Sequence, residues 1–141
     1  MAEPVTEPQA LCASAELLER DKAIVFDVML WRGPARAFAL RFDGKVVAYM
    51  NRCAHVPSEM DWQVGQFLDM DRRWILCSVH GAAYEPADGQ CVGGPCGRGR
   101  LMAIATEERD GMVYWYPSRD IQPVVFDDVG PGDDAAPEST P

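Results

Sequence analysis

Apolar side chains in this chain recur mainly with a period of two, in short runs interrupted by Gly, Pro and Asp-Gly pairs. Such a period puts successive side chains on opposite faces of an extended strand. Ala23–Trp31 is apolar and β-branched and predicts one strand. Arg32-Gly33-Pro34-Ala35 is expected to break it, because Gly and Pro punctuate and Pro has no N–H to give a ladder. From Arg36 to Phe42 the alternation is clean, with Phe38, Leu40 and Phe42 on one face and Arg41 on the other. Asp43-Gly44 has the two-residue turn chemistry that tolerates positive φ, so Lys45–Met50 is expected to pair back as a hairpin. Trp74–Leu76 predicts a further short strand, and Asp88-Gly89 a turn. Leu101–Thr106 and Met112–Tyr116 flank Arg109-Asp110-Gly111 and predict a closing hairpin. The one helical signal is Ser14 ahead of Ala-Glu-Leu-Leu-Glu-Arg, a capped short helix ending near Asp21. The pattern supports a small all-β domain of short antiparallel strands.

Both ends depart from that pattern. Met1–Ala10 has two prolines, two glutamates and little to bury, and reads as a disordered lead-in. After Phe126 the chain is mostly Gly, Pro, Asp and Ala. The expected organisation is therefore a lead-in at 1–12, one folded domain at 13–121 and an acidic tail at 122–141. The net charge of −9 is concentrated in these ends. Residues 127–141 hold five acids and no base, and residues 1–10 hold two acids and no base. The remaining 15 acids face 13 bases, which leaves −2 on residues 11–126. That balance argues against a nucleic-acid partner. No apolar run approaches the ~18 residues of a membrane span, and no signal-peptide pattern opens the chain. A cytoplasmic monomer without a membrane anchor is expected.

The chemistry is carried by Cys53-Ala54-His55 and Cys77-Ser78-Val79-His80, a C-x-H and a C-x-x-H separated by 21 residues. The chain has two histidines, and both lie here. Two soft thiolates and two imidazoles in matched pairs suit a site with a sulfur side and a nitrogen side, as in a [2Fe–2S] cluster with two cysteines on one iron and two histidines on the other. A single tetrahedral zinc is the alternative for the same four residues, although zinc sites more often bring like ligands together as C-x2-4-C and H-x3-5-H. Both pairs follow predicted strands, which makes a rigid support for a metal site. The spacer at 56–76 has no sustained period; Met60, Trp62, Phe67, Leu68 and Met70 predict a helical turn, read as satellite core or as a docking surface. Cys12, Cys91 and Cys96 are expected to stay thiols, the last two as small turn-filling residues with a disulfide between them as the alternative. Gly93-Gly94-Pro95 lacks a following Lys-Ser/Thr and is no phosphate cradle.

Over about residues 22–117 the sequence resembles the Rieske iron–sulfur proteins. The resemblance implies one [2Fe–2S] cluster held by Cys53, His55, Cys77 and His80, with Gly81 after the second histidine, Gly94-Pro95 as the loop covering the cluster, and Tyr84 bonding a ligand sulfur. It also implies a base of antiparallel sheets carrying a small cluster-binding subdomain. The spacer is several residues longer than common Rieske ferredoxins carry. Two features of the family's high-potential members are missing: the extra cysteine of the second ligand loop, where Val79 stands, and the serine two residues past the second histidine, where Ala82 stands. The activity implied is a soluble one-electron carrier passing electrons from a reductase to an oxygenase or another oxidoreductase. The alternative is a non-catalytic cluster-bearing subunit or redox-sensing module. The chain is not expected to be an enzyme by itself: both histidines are used by the cluster, so none remains for catalytic iron, and no nucleotide fingerprint is present.

Overall fold

The computed structural model describes residues 5–54, 59–61 and 65–124. In chain order the strands are β1 (Gln9–Ala13), β2 (Ile24–Leu30), β3 (Gly33–Phe42), β4 (Lys45–Met50), β5 (Ile75–Leu76), β6 (Ala83–Tyr84), β7 (Cys91–Gly93), β8 (Ala103–Ile104), β9 (Thr106–Arg109), β10 (Met112–Trp115) and β11 (Ile121–Pro123). They form a five-stranded sheet in the order β11-β2-β3-β4-β8 and two three-stranded sheets, β1-β10-β9 and β5-β6-β7. Every strand pair is antiparallel. The fold is all-β, as the alternation predicts.

The central sheet is covered on both faces, and β3 shows why. Phe38, Leu40 and Phe42 point into a core shared with Tyr49, Met60, Phe67, Ile75, Tyr84 and Leu101. Ala37 and Ala39, on the other face, join Ala48, Val28, Met50, Val113 and Trp115. Small side chains on that face leave room for the β1-β10-β9 sheet, whereas the large ones build the floor beneath the ligand loops. Arg41 shares the alanine face and is nonetheless satisfied. Its guanidinium grips the Glu108 carboxylate at 2.7 and 3.0 Å and donates to the Leu17 carbonyl at 2.8 Å.

Several local expectations are corrected. Pro34 does not break the chain: it lies inside β3, opposite Met29. The β3–β4 pairing ends at Ala37 and Met50, so at Pro34 one edge of β3 has no β4 partner and the missing N–H leaves no ladder bond unmade there. The turn is instead Trp31-Arg32, both residues with positive φ. The end of the expected lead-in, Gln9–Ala13, is a strand on the edge of β10 and buries Cys12. Ser14 opens only a three-residue 3-10 turn, Ser14–Glu16, with the Glu16 carboxylate accepting the Ala13 N–H at 2.9 Å. The predicted Leu101–Thr106 strand is split, and the hairpin partner of β10 is Thr106–Arg109, turning at Asp110-Gly111. Gln122 and Pro123, the expected start of the tail, pair with β2. Residues 125–141 lie outside the described residues.

The spacer forms no helix among its described residues. Met60 and Phe67 are core, Phe67 stacking on Phe38 with ring centroids 3.7 Å apart, while Met70 is fully exposed. Trp62 lies outside the described residues. No helix of the described residues is long and apolar enough to cross a membrane.

Candidate metal centre

β4 ends at Met50 and hands the chain to the first ligand loop through Asn51, the one buried polar residue among those described. Its backbone N–H donates to the Arg36 carbonyl at 2.9 Å. Its side chain accepts the Met60 N–H at 2.7 Å and donates to the Asp61 carboxylate at 2.8 Å. Asp61 in turn accepts the Gly65 N–H at 3.1 Å. This network ties the first loop to the spacer, two residues ahead of Cys53. The second loop is tied to the same segment, because the Ser78 N–H donates to the Met60 carbonyl at 2.9 Å.

The two loops bring Cys53, Cys77 and His80 together, with one donor atom from each within 4.8 Å of the others. Both cysteines are buried thiols, and neither is in a disulfide. The His80 ring turns Nδ1 inward, 3.4 Å from the Cys77 sulfur. Burial pushes the Cys77 thiol above its ordinary range, while the backbone N–H groups of His80 and Val79 favour the thiolate and pull it down. His55 lies outside the described residues.

Tyr84 is fully buried on β6 and reaches across to the first loop. Its hydroxyl oxygen accepts the Ala54 N–H at 3.0 Å and sits 3.4 Å from the Cys53 sulfur. With the Ala54 N–H directed at its oxygen, the hydroxyl has its own proton to give to Cys53. A thiolate there accepts only, which fixes the direction of that bond. Burial, then the Cys53 sulfur, hold the phenol well above its usual range, so it stays a donor.

The Gly94-Pro95 turn packs against the second loop from the other side. A side chain at Gly94 would put its Cβ 2.5 Å from the Gly81 carbonyl oxygen, so the Gly94-Pro95 segment lies directly on the second ligand loop. Gly99 meets the first loop in the same way, its Cβ position 2.8 Å from the Cβ of Ala54. Ala54, Ser78, Val79, Gly81, Gly94 and Pro95 are exposed and form an open rim over the buried sulfurs.

Cys91 and Cys96 correct the expectation of turn-filling thiols. They form a disulfide with Cα atoms 5.9 Å apart, bracketing the covering loop. The turn through Gly93, Gly94 and Pro95 brings the chain back within disulfide reach. Asn51 is the other feature that the sequence pattern does not flag, and its position between a strand and a ligand is the one available signal.

A family model described as the Rieske [2Fe–2S] domain matches residues 7–117. The chain belongs to the Rieske family. Its donor set fits the family's cluster, with two buried sulfurs on one side and an imidazole nitrogen facing them. No curated protein matches the chain. Among solved structures, the ferredoxin of carbazole 1,9a-dioxygenase from Nocardioides aromaticivorans IC177 is similar with a TM-score of 0.62 at 18% identity, over 79% of this chain and 98% of that one. Apo dicamba monooxygenase is similar with a TM-score of 0.61 at 20% identity, over 82% of this chain and 34% of that one. An oxygenase–ferredoxin complex of carbazole 1,9a-dioxygenase, fluorene-bound, matches with a TM-score of 0.62 at 20% identity, over 79% of this chain and 29% of that one. The chain thus spans nearly all of a Rieske ferredoxin but about a third of the oxygenase chains.

Proposed function

We propose that this Rieske protein is a one-electron carrier, delivering electrons from a reductase to an oxygenase or another oxidoreductase, and is not an enzyme by itself. In this reading Cys53, His55, Cys77 and His80 hold the cluster, and Gly81, Tyr84, Gly94 and Pro95 surround it. The cluster supplies reversible one-electron chemistry, and the protein sets potential and access. The observation that carries the reading is the geometry of the site among the described residues: buried sulfurs, a half-buried imidazole and an exposed rim. An electron then has a short path to a docked surface, while the sulfurs are kept from water. The near-full-length match to a dioxygenase ferredoxin supports the same reading. In this reading the protein is cytoplasmic.

The test is metal and sulfide analysis followed by stopped-flow kinetics. Two irons and two acid-labile sulfides per chain are expected, with the low average g-value of mixed His/Cys ligation in the reduced protein. Reduction by a flavoprotein reductase and rapid reoxidation by a second protein should follow. One zinc and no sulfide would overturn the cofactor assignment. Tight co-purification with a single partner, without turnover as a free carrier, would favour a fixed subunit.

A further inference from the structure

The β2–β3 hairpin turns on two residues that do not suit it. Trp31 and Arg32 have φ of 50° and 69°. The β3–β4 hairpin makes the same kind of turn with Asp43 and Gly44, at 53° and 80°. Asp and Gly adopt the left-handed region readily, whereas a bulky side chain there is a genuine outlier. Such outliers cluster at active sites, ligand clamps and switch regions, though Arg20 and Arg72 adopt the same conformation in this chain. Trp31 belongs to neither buried core and leaves 55% of its surface exposed. Core packing does not account for a tryptophan at this turn.

Its position does. β3 runs on past the Ala37–Met50 pair where β4 ends, so the hairpin tip stands beside the first ligand loop. The guanidinium of Arg52 lies over the Trp31 ring, 5.0 Å from its centroid, and Arg52 immediately precedes Cys53. Arg98 is exposed on the loop whose Gly99 packs against Ala54. Arg20, Arg36, Arg41, Arg73 and Arg109 all pair with carboxylates. Eight of the thirteen bases make no ion pair with a described residue, and three of these, Arg32, Arg52 and Arg98, stand on the hairpin tip and on the loops beside the metal centre. A chain of net charge −9 thus keeps uncommitted positive charge, and an exposed indole, next to its metal centre.

We propose that Trp31, Arg32, Arg52 and Arg98 form the docking surface for the electron-transfer partner, whose matching face is an apolar pocket rimmed by carboxylates. This rests on the carrier reading above. Trp and Arg are the side chains that most often dominate interface energies, because they bury large area and form directional charged hydrogen bonds. Stacking under Arg52 holds the indole in place before the partner arrives, which lowers the ordering cost of docking. Local positive charge steers an acidic face to the ligand loop even though the whole chain is acidic.

The experiment uses the holoprotein, reduced, with two protein oxidants: plastocyanin, which is acidic, and cytochrome c, which is basic. Iron and sulfide content and the potential of each variant are measured first. A loss there tests the carrier reading, not the docking surface. The expected result is a rate with plastocyanin that falls as salt rises, and drops about tenfold in the combined Arg32→Gln, Arg52→Gln, Arg98→Gln variant. The rate with cytochrome c should not fall in that variant. Trp31→Gly removes both the indole and the unfavourable backbone, so Tm should hold or rise while the plastocyanin rate falls severalfold. A plastocyanin rate that rises with salt, as the net charge alone dictates, would overturn the proposal. So would a Trp31→Gly variant that loses stability and keeps its rate, since the indole would then be structural.

Discussion

Replacing Tyr84 by Phe removes one hydroxyl and little else, because the ring stays in a site that excludes solvent completely. The hydroxyl donates to the Cys53 sulfur at 3.4 Å and is oriented by the Ala54 N–H at 3.0 Å. A donor to a ligand sulfur stabilises added negative charge, so it favours the reduced centre and its loss lowers the potential. The size follows from how much the bond strengthens on reduction. Bonds to charged groups contribute about 1.5–3 kcal/mol in all. If about a third of that depends on the extra electron, the difference is ~0.5–1 kcal/mol. With about 59 mV and ~1.4 kcal/mol both equal to one decade for a single electron, the shift is about 20–45 mV downward.

The assay is a spectroelectrochemical titration of wild type and Tyr84→Phe in the same buffer, repeated across pH. Because burial and Cys53 keep the phenol protonated, the difference between the two proteins should be constant over the neutral and mildly alkaline range. A shift below about 10 mV would show that the hydroxyl does not follow the charge on the sulfur, and an upward shift would refute the donor reasoning. The wild-type value carries its own check. Ala82 gives no hydroxyl where high-potential members keep a serine, and Val79 stands where they keep the cysteine of their loop-to-loop disulfide. A potential in the lower half of the family range of about −150 to +300 mV is expected.

His80→Ala should abolish the visible absorption while Cys12→Ser, remote in the second core, leaves it intact; an unchanged spectrum in His80→Ala would refute the ligand assignment. Gly94→Ala drives a Cβ into the Gly81 carbonyl and should lower Tm, with a stability loss of about 2 kcal/mol or more by denaturant titration. Cys91→Ser with Cys96→Ser opens the loop through Gly94-Pro95 and should cost roughly 2 kcal/mol and speed cluster loss to a chelator; unchanged stability and chelation rate would show that Gly94 packing alone holds the loop. Arg41 holds the Glu108 carboxyl down from 4.5 to about 2, so this pair stabilises the fold fully above the higher value and stops doing so as pH falls to the lower. The Glu108 side chain is 32% exposed, so solvent screening reduces the effect to the order of 1 kcal/mol, and Glu108→Gln should flatten acid unfolding in that window.

What was legible in the sequence sorts by whether the deciding physics is local. The Lys45–Met50 strand and the Asp43-Gly44 turn are legible because alternation and turn chemistry are properties of adjacent residues. The grouping of Cys53, Cys77 and His80 is legible because donor type and spacing limit what such residues can bind, whereas the place of Gly94-Pro95 against the second loop is implied by the family resemblance alone. The misread elements depend on neighbours far along the chain. Pro34 has the local signature of a breaker, but a missing N–H matters only where a partner strand needs it. Thr106–Arg109 carries no apolar alternation, and its strand state comes from pairing with β10. Gln9–Ala13 likewise becomes a strand by docking on β10 across most of the chain's length.

The same division explains the two features of the site that the sequence hid. A cysteine pair five residues apart is bridged or not according to where the intervening turn sends the chain, and that turn is set by Gly94 lying on the second ligand loop. Asn51 is ordinary by type. It becomes essential because β4 delivers it under Met60 and Asp61, where three hydrogen bonds replace the water it has lost. Both features bear on the loops and leave the donor set itself unchanged. Spacing can therefore propose a donor set, of which Cys53, Cys77 and His80 are brought together here, whereas the rigidity around it resides in contacts between segments far apart in the chain.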